Sequence, residues 1–150
     1  MKVGYAFNSE NESFVARATG KELRIRFKDS IEVCAAIKGR KAKEAADYLQ
    51  AALDNKAYIP FKKTKSQHGH TKGMKPFGRR PVKTLEGVLG VLKSAIANAE
   101  FKGLDLDNCV VISSAAQRGF KIRRMKPRGR HAVYNRHLTT IQIVLEELSK

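Results

Sequence analysis

The chain has 150 residues, with 30 Lys and Arg against 14 Asp and Glu and a formal net charge of +16. That length supports one domain able to bury roughly two thirds of its unfolded surface, and a hydrophobic fraction of 42% excludes wholesale disorder. Cys34 and Cys109 stand far apart without a CxxC pair, and the polar stretch from Asn8 to Ser13 leaves no apolar leader, which together point to a reducing compartment and away from export or a membrane span.

Taken in chain order, Leu23-Arg24-Ile25-Arg26-Phe27 alternates apolar and basic and predicts a half-buried strand with Arg24 and Arg26 facing out. Asp29 and Glu32 have the spacing of a capping box opening a short helix, with Ile31, Cys34 and Ala35 on one face and Gly39 as its stop. Ala42, Ala45, Ala46, Leu49 and Leu53 recur at helical spacing from Lys41 to Asp54. From Asn55 to Lys83 the periodicity vanishes in favour of Lys, Gly, His, Pro, Thr and Ser, a long loop of the kind that is functional or disordered. Thr84 is placed to cap a third helix with a stripe of Leu85, Val88, Leu89, Leu92, Ala95, Ile96 and Ala99, and Gly87 and Gly90 within it suggest close backbone packing.

The last third reads as one hairpin folded about Lys126-Pro127-Arg128-Gly129, a sequence suited to a type I turn. Folding there lays Val110 to Ile112 beside Val144 and Leu145, and Phe120 beside Arg136. At about 3.3 Å per residue the strand from Cys109 to Pro127 reaches roughly 60 Å, so the hairpin must protrude from a body of this size. Its base, with Val110, Ile112, Ile141, Ile143 and Leu145, is apolar enough to join the core. The fold class expected is α+β, a small antiparallel three-stranded sheet packed with three helices. The expected division is a single domain over residues 1–150, with a basic loop at 55–83 and an extended hairpin at 109–147.

The excess charge is segregated. Asn55 to Leu85 and Asn108 to Leu145 contain no acid and carry nine and eight cations, whereas the rest of the chain is near neutral. Each phosphate that such a surface neutralises releases condensed counterions, so this is the footprint of a polyanion-binding protein. Nucleic acid is the leading partner, and the candidate contacts are Arg24, Arg26, Lys62, Lys63, Lys65, His68, His70, Lys72, Lys75, Arg79, Arg80, Lys83, Arg118, Lys121, Arg123 and Arg136. Arg dominates the hairpin and can fork onto phosphate or stack on bases, whereas Lys dominates the loop and acts as a mobile point charge. Phe61, Phe77 and Tyr134 can stack on unpaired bases or pin their segments to the body, and the sequence leaves both open.

Other chemistry finds little support. His68 and His70 lack a third and fourth ligand at recognisable spacing, so no metal and no cofactor is assigned. Ser113 and Ser114 lie in a strand without an assigned base, Glu100, Asp105 and Asp107 flank a helix end, and no phosphate-binding glycine pattern occurs, so no catalytic residue is assigned either. An RNA-modifying enzyme would need paired titratable groups in a pocket. A basic DNA-binding or DNA-compacting protein is the other alternative, although no apolar stripe is left over for a dimer.

Ile59-Pro60-Phe61-Lys62, the stretch from His70 to Gly78-Arg79-Arg80-Pro81, Asn98-Ala99-Glu100 to Lys102-Gly103-Leu104-Asp105, and Arg123-Arg124 with Arg128-Gly129-Arg130 occur in an order that resembles the large-subunit ribosomal protein L twenty-two family. The long basic loop is similar to its archaeal and eukaryotic branch. The resemblance implies a non-catalytic constituent of the large subunit in the cytoplasm, bound as a monomer to ribosomal RNA and to neighbouring ribosomal proteins near the exit tunnel, with no membrane contact. It further implies that the hairpin tip, Arg124, Met125, Lys126, Pro127, Arg128, Gly129, Arg130 and His131, lines the tunnel, meets the nascent peptide and stands near a constriction formed with the L four family.

Overall fold

The computed structural model describes residues 4–7, 12–66, 68–74 and 77–148. After a short 3-10 turn at Glu12–Phe14, the elements run β1 (Val15–Leu23), α1 (Phe27–Ile37), α2 (Ala42–Leu53), β2 (Ile59–Pro60), β3 (Gly78–Arg79), α3 (Val82–Phe101), β4 (Cys109–Met125) and β5 (Val133–Glu147). The main sheet is antiparallel in the order β1-β5-β4, and β2 pairs with β3 in a separate two-stranded sheet. The expected α+β fold with three helices, a three-stranded antiparallel sheet and a long hairpin is what forms. Lys75, a candidate contact of the loop, lies outside the described residues.

The core is built where apolar periodicities meet. From α3 it takes Leu85, Val88, Leu92, Ala95 and Ala99, from α2 Ala42, Ala45, Leu49 and Ala52, and from the sheet Ala16, Val111, Ile141, Ile143 and Leu145. Small residues on α2 let it lie close to α3. Cys34 and Cys109 are buried and free, and burial pushes the Cys34 thiol up to about 11, so it packs as an apolar group. The far side of β5 is covered in part by the N-terminal segment: Gln142 accepts from the Ala6 amide at 3.1 Å and donates to the Gly4 carbonyl at 2.7 Å.

Several expectations are corrected. The first strand is Val15–Leu23, and residues 24–26 form a connector into α1. The alternation survives as burial, with Ile25 inside and Arg24 and Arg26 exposed, because the Thr139 hydroxyl donates to the Ile25 carbonyl at 3.0 Å and draws the connector against the sheet. Period two is equally compatible with an extended connector and with a strand. Helix α1 starts at Phe27 with Arg26 at its N-cap, so Asp29 lies in the first turn, and its buried face is Val33, Cys34 and Ile37 with Ile31 half-buried and Ala35 exposed. Helix α3 starts at Val82 after Pro81, whose missing N–H costs nothing at a helix start, and Thr84 is buried inside the first turn. Within α3, Gly87 does lie near Ile25, whereas Gly90 is exposed with open space around it.

The hairpin base pairs Val110 with Glu146 and Val111 with Leu145, within a residue of the expected alignment. Two irregularities in β4, between Val111 and Ser113 and between Arg118 and Lys121, then shift the register, so Ile122 rather than Phe120 faces Arg136. Val111 is the core residue because its pairing with Leu145 puts both on one face of the sheet, while Val110 and Ile112 are half-buried. At the tip Arg128 has φ +65° and Gly129 φ +64°, whereas a type I turn needs a negative φ at its third residue. The strands are joined by residues 126–132, closed by a hydrogen bond from the Lys126 amide to the Ala132 carbonyl at 2.9 Å.

The long loop is tied down at its two ends. Ile59 and Phe61 are fully buried, Arg80 donates to the Ala57 carbonyl at 2.9 Å, and Gly78 is buried where a Cβ would overlap the Tyr58 ring and come within 2.8 Å of the Met74 Cβ. Gly78→Val is therefore expected to destabilise the protein by about 1–3 kcal/mol through overpacking. Urea unfolding against the wild type measures it, and an unchanged midpoint would show that the loop does not need this close approach.

Candidate nucleic-acid interface

Glu32 organises the loop. Its side chain, on α1 and only 1% exposed, accepts hydrogen bonds from the backbone N–H of Lys62 at 3.0 Å, Lys63 at 2.7 Å and Thr64 at 2.6 Å, and from the Thr64 hydroxyl at 2.9 Å. Burial alone would push this carboxyl up, but the Lys62, Thr64 and Lys63 donors together outweigh it and hold it below the ordinary carboxylate range. The clamp fixes the backbone at a point where the side chains of Lys62 and Lys63 are exposed. An acid supplied by the body thus orients an arm that has none.

Beside the clamp opens a cleft of about 900 Å³ where four segments meet: the 24–29 connector and start of α1, Ser66 and His68 of the loop, the start of α3 from Pro81 to Thr84, and the hairpin stem at Arg118 and Tyr134 to His137. It brings together Arg24, Arg26, His68, Lys83, Arg118 and Arg136 of the predicted contacts, residues up to 112 positions apart in the chain. Two helix N-termini open onto it, and neither N-cap residue supplies a side-chain hydrogen bond, so the positive ends of both helix dipoles add to the basic lining. The Arg118 guanidinium lies 4.9 Å from the centre of the Phe27 ring, which braces the hairpin stem against α1. Among the described residues Asp29 is the one acid in the lining, and burial raises its pKa despite the charges of Arg26, His68 and Arg79.

The remaining predicted contacts divide. Lys65, His70 and Lys72 are exposed on the loop, and Lys121, Arg123 and the whole tip from Arg124 to His131 are exposed on the hairpin. Arg79 and Arg80 are half-buried and donate within the loop, Arg79 to the Gly69 carbonyl and Arg80 to Ala57 and Asn55, so they brace as well as charge it. His68 sits edge-on to Phe61 with ring centres 5.2 Å apart, and His70 is exposed. The open question of the aromatics resolves residue by residue: Phe61 is buried and pins the loop, whereas Phe77 at 38% and Tyr134 at 57% present exposed surface. Sequence reasoning missed the role of Glu32 and the place of Phe27, and the only signal for Glu32 was an acid one position away from the apolar stripe of α1.

A family model described as ribosomal protein L22p/L17e matches residues 18–146, from the middle of β1 to the end of β5. The chain belongs to this family of ribosomal proteins. It is 41% identical over 149 residues to the large ribosomal subunit protein uL22 of Archaeoglobus fulgidus, covering 97% of this chain and 96% of that one. It is 36% identical to the protein of the same name from Methanocella arvoryzae, with 98% of each covered, and 34% identical to that of Nitrosopumilus maritimus, with 98% and 99% covered. The match takes in both basic arms, the Glu32 clamp and the cleft. The expectation of a ribosomal protein of the large subunit, and not an enzyme, stands on these similarities.

Proposed function

We propose that this chain binds ribosomal RNA in the large ribosomal subunit of the cytoplasm through its loop, cleft and hairpin, supports assembly of the subunit, and lines the nascent-peptide exit tunnel with residues 124–131. The observation that carries the reading is the outer hairpin. From Phe120 to Arg136 exposed Lys121, Arg123, Arg124, Arg128, Arg130 and Arg136 are interleaved with Phe120, Met125, Val133 and Tyr134, each more than half exposed. A bare two-stranded ribbon of this kind is marginal in water. Inside folded RNA its Arg residues meet phosphate and its apolar residues meet sugar and base, and a cationic strand pair between mutually repelling RNA segments clamps them together. Neighbouring ribosomal proteins and the nascent peptide are then the partners of the tip, and one copy acts without cofactor or membrane.

Sedimentation of the tagged protein from its native cells tests this. After a high-salt wash it is expected to migrate with large-subunit RNA in near-stoichiometric amount. Migration in free fractions or with chromatin would overturn the proposal and favour a DNA-binding role.

A further inference from the structure

The cleft differs in kind from the two arms. A surface that only neutralises phosphate needs cations and water, and the tip from Arg124 to His131, exposed throughout, meets that description. The cleft instead combines Arg24, Arg26 and Arg136 with apolar Ile25 and Val82, the ring of Tyr134 and the carboxyl of Asp29. An ionised carboxyl repels phosphate at close range, but it accepts hydrogen bonds from the donor edge of a base. Aliphatic and aromatic walls give nothing to a phosphate and a stacking surface to a base. The Phe27 ring is already covered by Arg118, so Tyr134, 57% exposed, offers the open face. The wall itself is a strand edge: β1 pairs with β5 only as far as Leu23 opposite Thr139, so residues 134–137 of β5 line the cleft beyond the reach of β1.

Resting on the RNA-binding reading above, we infer that the cleft takes one unpaired nucleotide from an otherwise helical RNA, its base stacked on Tyr134 and its flanking phosphates held by Arg24, Arg26 and Arg136. RNA helices hide their base edges in a deep, narrow groove, so an extruded nucleotide is the part of such a helix whose base can reach the floor of a cleft. The site would then add local recognition to arms whose cations meet the phosphate backbone.

The test uses the full-length protein and two RNA hairpins identical except for a single bulged 4-thiouridine in one of them. The bulged hairpin is expected to bind about tenfold more tightly or better, and irradiation is expected to link the thiouridine to the peptide containing Tyr134. Tyr134→Ala should remove the preference, so that the variant binds the two hairpins with equal affinity, and Tyr134→Phe should retain it. Equal affinity for the two hairpins, a preference that survives Tyr134→Ala, or cross-links confined to the tip or the loop would each overturn the inference and leave RNA binding standing. Failure of the wild type to bind either hairpin would overturn both.

Discussion

Replacing Glu32 with Gln is expected to destabilise the protein by about 2–3 kcal/mol, because hydrogen bonds to a charged group contribute about 1.5–3 kcal/mol each and do not add in full. The side chain is nearly the same size, so packing around α1 is kept and the loss reports charge and acceptors alone. One carboxylate oxygen serves the Lys62 amide and the other serves Lys63 and Thr64, and the amide nitrogen of Gln would face at least one donor with another donor. Urea unfolding measures the cost, and hydrogen exchange at residues 62–64 shows whether the loop detaches before the body unfolds. An unchanged midpoint with protected amides would show that burial of Phe61 and Ile59 holds the loop without the clamp.

The pH dependence has a definite sign. The folded carboxyl of Glu32 titrates below its unfolded value, so its contribution is present above the ordinary carboxylate range and is lost as pH falls through the lowered folded pKa. Asp29 is raised instead, so its ionisation opposes folding as pH rises from its unfolded to its folded pKa. The difference between wild type and Glu32→Gln cancels the Asp29 contribution and should shrink towards zero in acid. A difference that stays constant with pH would mean that the charge of Glu32 is not what holds the loop.

The parts readable beforehand are those in which a local period coincides with tertiary burial. The stripe of α3 repeats without interruption from Leu85 to Ala99, and the same residues are buried, apart from half-buried Ile96. The hairpin could be aligned because both its bases are apolar and its turn is marked by Pro127 and Gly129. Strand β1 was missed because Gly20, Lys21 and Glu22 weaken its pattern, while Leu23 to Phe27 alternates better. Pairing with β5 decides the matter, and that is a long-range contact. The bulges in β4 were missed because a one-residue insertion changes register without changing composition. Of the cleft's cations Arg24, Arg26, Lys83, Arg118 and Arg136 were identified and Lys28 was not, their convergence depends on four chain segments, and the clamp joins a side chain to backbone groups that carry no residue identity.

Removing the four guanidinium groups of Arg123, Arg124, Arg128 and Arg130 by substitution with Ala should lower the slope of log affinity for structured RNA against log salt by about 3, since each phosphate neutralised contributes about 0.7–0.9. If wild type and variant converge near 1 M salt, that slope difference amounts to roughly a thousandfold weaker binding at 0.1 M. All four side chains are exposed, so thermal unfolding of the body should not move. Substituting Lys at the same positions separates charge from shape: the slope should return, whereas the affinity lost with the forked contacts should not. A slope unchanged by the Ala substitutions would remove the hairpin from the RNA interface and leave the loop and cleft to account for binding. Affinity that persists where salt has silenced the charges would come from Phe120, Met125, Val133 and Tyr134, the apolar residues that water alone gives the ribbon no reason to expose.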